Sequence, residues 1–198
     1  MSARIYIEGG GDSKELRARC REAFRKLLEK CGFQGRMPKL SACGSRESAY
    51  DDFVIAHSYS ANGDYVALLV DSEDPVADSD KPWQHLSNRD GWKRPEEADD
   101  EQVFLMATCM ETWIVCDRES LRKRYPGCLQ ESALPASHGL ERRDRHAIQT
   151  ALENATRDCK GNYSKGKRSF QLLGLLDPSE LRSLKHFSRM ERVLEDRL

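Results

Sequence analysis

Tyr65-Val66-Ala67-Leu68-Leu69-Val70, running directly into Asp71-Ser72-Glu73-Asp74-Pro75, is the stretch that decides the fold. Its apolar run is unbroken, so it suits a central parallel strand covered on both faces. Acids follow at its end. An open parallel sheet binds ligands at the carboxyl ends of its strands. The same stretch therefore yields both a fold class and a place to look for chemistry.

Arg4-Ile5-Tyr6-Ile7 is a second strand, left by Glu8-Gly9-Gly10-Gly11-Asp12. A helix from Ser13 to Cys31 follows, with Leu16, Cys20, Ala23, Phe24, Leu27 and Leu28 at helical spacing. Asp12 can cap it, with Glu15 three residues on to complete the box. Met37 to Cys43 reads as a strand, and Arg46 to His57 as a helix with Ala49, Tyr50, Phe53 and Val54 inward. Residues 76–100 read as a long acidic connection whose Trp83 and Trp92 suggest that part of it packs down. Gln102 to Ala107 is another strand, and Cys109 to Cys116 a helix with Met110, Trp113 and Ile114 inward and Glu111 turned elsewhere. Helices near Ser120–Tyr125, at Arg145–Cys159 and through Phe187, Met190, Val193 and Leu194 complete the chain.

The order βαβαβ, then βα and helices, predicts an α/β fold: a roughly four-stranded, mostly parallel sheet with helices on both faces and a helical C-terminal region. One domain over residues 1–198 is expected, with a sheet-containing core at 1–117 and a mainly helical extension at 118–198.

The chain has 33 acidic and 32 basic residues, so net charge points to no polyanionic partner. Local charge is uneven: residues 71–101 carry 11 acids and 4 bases, residues 141–198 carry 9 acids and 13 bases. The seven cysteines form no CxxC, and free thiols in a reducing cytosol are expected. Scattered Cys and His argue against zinc. No signal peptide is expected, nor a membrane span, since no run reaches the roughly 20 apolar residues required.

Glu8, Asp71 and Glu73 are the candidate metal ligands. Clustered carboxylates repel unless a cation holds them, and an oxygen-only set suits Mg²⁺ or Mn²⁺. Asp12 is either a fourth ligand or only a cap. Gly10 and Gly11 allow backbone approach to an anion, although GxGxxG and P-loop spacing are absent. Lys165, Lys167 and Arg168 form a basic glycine-containing loop that either contacts phosphate or faces solvent. No Ser-His-acid set can be assembled.

Ile5-Tyr6-Ile7-Glu8-Gly9-Gly10-Gly11-Asp12 and Leu69-Val70-Asp71-Ser72-Glu73-Asp74 resemble the TOPRIM core. With Cys109-Met110-Glu111-Thr112-Trp113, Tyr163-Ser164-Lys165-Gly166-Lys167-Arg168-Ser169-Phe170 and Leu175-Leu176-Asp177-Pro178, the chain resembles a small uncharacterised bacterial TOPRIM-like family, related to the TOPRIM domain of overcoming-lysogenization-defect nucleases. The resemblance implies metal-dependent phosphodiester cleavage on nucleic acid. Glu8 matches the first-strand glutamate, and Asp71 and Glu73 the acidic pair, with Glu73 one methylene longer than the usual aspartate. Asp12 is similar in position to the second acid of those nucleases. Glu111, with Lys165 or Lys167, stands for their downstream acid and lysine. No tyrosine nucleophile or primase module is evident, which disfavours topoisomerase and primase activity. Relatives of this type act in mobile-element or antiphage systems, sometimes with a separate ATPase partner; a homo-oligomer is also open. A non-catalytic binding subunit and a small-molecule phosphohydrolase are the competing expectations.

Overall fold

The computed structural model describes residues 2–61 and 63–198. Four strands form one sheet: β1 (Ala3–Gly10), β2 (Lys39–Gly44), β3 (Tyr65–Asp71) and β4 (Val103–Met106), in the order β2-β1-β3-β4. All three pairings are parallel, and β3 is inside the sheet and buried along its whole length. Alternating side chains sort to the two faces, as a pleated strand requires.

One face carries Ile5, Ile7, Ala67, Leu69, Phe104 and Met106. It packs on α1 (Lys14–Lys30), α4 (Met110–Cys116), α6 (Arg145–Thr156), α7 (Lys167–Leu173) and α9 (Lys185–Arg197). Trp113 sits at its centre, edge-on to Phe24 of α1 and to Phe187 of α9 at centroid distances of 6.3 and 5.1 Å. Such pairs add about 0.5–1.5 kcal/mol beyond burial. The C-terminal helices thus share their core with the sheet. The other face, Tyr6, Val66, Leu68, Val70, Val103 and Leu105, packs on α2 (Arg46–Ser58) and α3 (Pro82–Asp90). Short helices α5 (Arg118–Arg124) and α8 (Pro178–Leu181) complete the chain, α8 opening with Asp177 as cap and Pro178 in its first turn. No helix among the described residues is long and apolar enough to cross a membrane.

Four local expectations are corrected. Ser13, not Asp12, caps α1: its extended backbone lets Oγ accept from Leu16 N–H at 3.4 Å, while Asp12 lies one residue too early. Strand β1 does not stop at Ile7 but runs through Glu8, Gly9 and Gly10, with an irregular register against Gly44. Glu111, expected to turn away from the core, is buried with the rest of α4, whereas the acidic connection packs down as expected, through α3, whose Trp83 and Leu86 are buried against β3 and β4. Finally, Cys128 and Cys159 are not free thiols but a disulfide, their Cα atoms 5.3 Å apart. A separation of 31 residues is no recognisable motif; the packing around α6, where Gln130 N–H donates to the Ala155 carbonyl at 2.8 Å, brings them together. Cys20, Cys31, Cys43, Cys109 and Cys116 are free.

Candidate metal centre

The adjacent central strands β1 and β3 end side by side, which brings Glu8 to Asp71. The Asp71 N–H donates to Glu8 Oε2 at 3.1 Å. Asp71 is itself buried, and its Oδ1 accepts from Met110 N–H, the first residue of α4, at 2.8 Å. Glu73 lies beyond the strand with a left-handed backbone, φ +68°, uncommon for a non-glycine residue. Its N–H donates to the Thr108 carbonyl at 2.8 Å, holding that turn against the start of α4. One oxygen from each of Glu8, Asp71 and Glu73 lies within 4.8 Å of the others.

The glycines bring the chain close to these acids. Gly10 has φ +86°, and a Cβ there would lie 2.6 Å from the Arg17 Cα. Gly44 has φ +89°, and its Cβ would lie 2.6 Å from the Gly11 carbonyl oxygen. Only glycine meets both the backbone angle and the approach.

Burial pushes the Asp71 carboxyl well above the usual carboxylate range, and the charges of Glu8 and Glu111 push it further. Glu8 is raised by burial as well, against the pull of Arg46, the Asp71 N–H and Lys165. Crowded acids of this kind gain from a cation, and an all-oxygen set suits a hard divalent one. Glu8, Asp71 and Glu73 therefore fit a divalent metal by donor chemistry and spacing.

Beside them is a cavity of about 340 Å³, lined by Gly9–Gly11, Glu111, Lys165 and the apolar Leu16, Met110 and Phe170, among others. Glu111 is only 1% exposed. The Tyr163 hydroxyl donates to its Oε1, and Gln149 Nε2 donates to its Oε2 at 3.3 Å. Gly10 and Gly11 line the cavity with Lys165. Lys167 instead borders a groove on α1 with Arg19, Glu22 and Lys26, and Arg168 lies over Gly161. Asp12 is exposed and outside the carboxylate set.

Three arginines at the site were not anticipated. Arg46 opens α2 with its guanidinium 3.6 Å from Glu8 Oε2 and donates to the Asp71 carbonyl. It is held by Asp90 at 2.6 Å and lies 4.8 Å from the Trp92 ring centroid, which stacks on Tyr50. Arg89 of α3 reaches Glu73 at 3.3 Å and Asp74 at 2.9 Å. Arg145, the first residue of α6, pairs with the same Glu73 oxygen, Oε2. No spacing joins residues 46, 89 and 145 in the sequence; only their place at helix starts or ends near the sheet unites them.

Neither the curated proteins nor the solved structures contain a match to this chain. Residues 7–195, which include every residue of the centre, match the family described as "Domain of unknown function (DUF4276)", and the chain belongs to that family.

Proposed function

We propose that this protein is a Mg²⁺- or Mn²⁺-dependent phosphodiesterase of TOPRIM type acting on nucleic acid. The observation that carries the reading is the convergence of Glu8, Asp71 and Glu73 at the ends of the two central parallel strands. In this reading they hold the cation, which when bound supplies activated water and neutralises phosphate charge. Asp71 is aimed by the Met110 N–H, and Glu8 by the Asp71 N–H and Arg46. Glu111, fixed by Tyr163 and Gln149, accepts a proton or orients water on the cavity side. Lys165, on the same cavity, faces charge developing on the phosphate.

The test is incubation with single-stranded and duplex DNA and RNA under Mg²⁺ and Mn²⁺, beside a Glu8→Gln/Asp71→Asn variant. Cutting that needs metal and disappears in the variant supports the proposal. No cutting of any polymer, with no metal binding by calorimetry, refutes it. A second reading, hydrolysis of a small phosphate ester, is favoured by the compact cavity with its apolar wall of Leu16, Met110 and Phe170. It predicts release of phosphate from mononucleotides while polymers stay intact.

A further inference from the structure

We propose that Arg145, assisted by Arg89, is the ligand for the substrate's backbone phosphate. The inference rests on the phosphodiesterase reading and concerns residues that neither the family description nor the acidic motif assigns.

The argument begins with charge. Glu73 is faced by two guanidiniums, Arg89 and Arg145. Arg89 also has Asp74 and Asp90 as partners, whereas Glu73 is the acidic partner found for Arg145 among the described residues. Glu73 is also the third carboxylate of the metal set. With Glu73 shared with a cation, one carboxylate charge is divided between the metal and two guanidiniums, so Arg145 stands beside the site with its charge only partly offset. That residual charge, on a side chain 30% exposed, favours an anion arriving from outside, and a phosphate diester presents two oxygens that match the guanidinium fork.

Geometry agrees. Thr108 ties the two segments together: its carbonyl accepts from Glu73 N–H at 2.8 Å, and its hydroxyl donates to the Arg143 carbonyl at 2.9 Å. The start of α6 is therefore pinned beside the Glu73 turn. The side chains of Arg145 and Arg89 are 30% and 29% exposed, so an incoming strand can reach them. Arg46 differs: at 14% exposure, held by Asp90 and Trp92, it is fixed as a support for Glu8.

The test measures binding separately from cutting. Fluorescein-labelled single-stranded DNA and RNA oligonucleotides are titrated with protein in Ca²⁺, from low to moderate salt, and Ca²⁺ affinity is measured alone by calorimetry. Arg145→Met should bind about tenfold more weakly, the scale of one charge-assisted contact. Its slope of log K against log salt should fall in magnitude by about 0.7 for the lost single-strand phosphate contact. Its Ca²⁺ affinity should be equal or tighter, because a competing cation has left Glu73. Arg145→Lys should keep the slope but lose affinity with the fork, and it carries the test if the Met variant does not fold. Arg122→Met, an exposed arginine paired with Glu119 and Glu131, should change neither quantity. Unchanged affinity and slope in Arg145→Met, with wild-type cutting intact, would overturn the inference alone. So would a loss of oligonucleotide binding explained by weaker Ca²⁺ binding. A wild-type protein that neither binds nor cuts either strand overturns the nuclease reading and this inference together.

Discussion

Replacing Tyr163 by Phe removes a single oxygen and keeps the ring. That oxygen donates to Glu111 Oε1, on a carboxylate 1% exposed, and it does so from the protein interior. The remaining donor is Gln149, at 3.3 Å. Burial and the Glu111 charge push the Tyr163 phenol upward, so it remains a donor at every working pH. The main-chain anchor, Tyr163 N–H to Thr156 Oγ1 at 2.9 Å, is untouched by the change. A hydrogen bond to a charged group contributes about 1.5–3 kcal/mol, and here its loss leaves a buried acceptor under-satisfied. For a domain of this length, about 2–4 °C accompanies each kcal/mol, so the melting temperature should fall by about 3–12 °C. Urea denaturation of wild type, Tyr163→Phe, Glu111→Gln and the double variant gives the coupling directly. Glu111→Gln should be milder than Tyr163→Phe, since the amide oxygen still accepts from the phenol. A Tyr163→Phe variant within about 0.5 kcal/mol of wild type, or a cycle with no coupling, would refute the claim that this pair is a mutually dependent unit.

Three further outcomes are expected. In EDTA, Asp71→Asn should gain stability relative to wild type as pH rises from about 4 towards 7. The wild-type carboxyl is raised on folding, so its contribution is present below the unfolded pKa and is lost as pH climbs through the folded one; parallel pH–stability curves would contradict this. Gly10→Ala should destabilise by more than about 1 kcal/mol, since its Cβ would lie 2.6 Å from the Arg17 backbone at φ +86°; an unchanged melting temperature would show that β1 can shift there. Cys128→Ser should lose about 3–4 kcal/mol under oxidising conditions by the loop-closure estimate for a separation of 31 residues, and little under reducing ones; mass spectrometry without reductant that finds both thiols alkylated would remove the premise.

The fold class was legible because its signals are local. The apolar run Tyr65–Val70 can be buried only between two helical layers, and Ile5-Tyr6-Ile7 supplies its neighbour. Glu8, Asp71 and Glu73 were legible for the same reason: each leaves or follows such a run, and parallel neighbours end together. Glu111 was visible only through the family resemblance, since helical periodicity turned it away from the core and α4 buries all of its faces. Ser13 and not Asp12 caps α1 because Asp and Ser are near-equivalent caps in a sequence and only backbone geometry chooses between neighbours.

The sequence by itself determined that a parallel α/β sheet forms and that acids stand at its strand ends. Periodicity and strand polarity operate within a few residues, and those distances are written in the chain. Tertiary structure alone decided which charges meet those acids. Arg46, Arg89 and Arg145 come from three helices, Cys128 meets Cys159, and Lys165 faces the cavity while Lys167 turns to α1. The physical reason is that a charged side chain carries no periodic signature of its partner. Ion pairs and cross-links are set by where packed helices happen to end, and that follows from burial of the apolar faces between them.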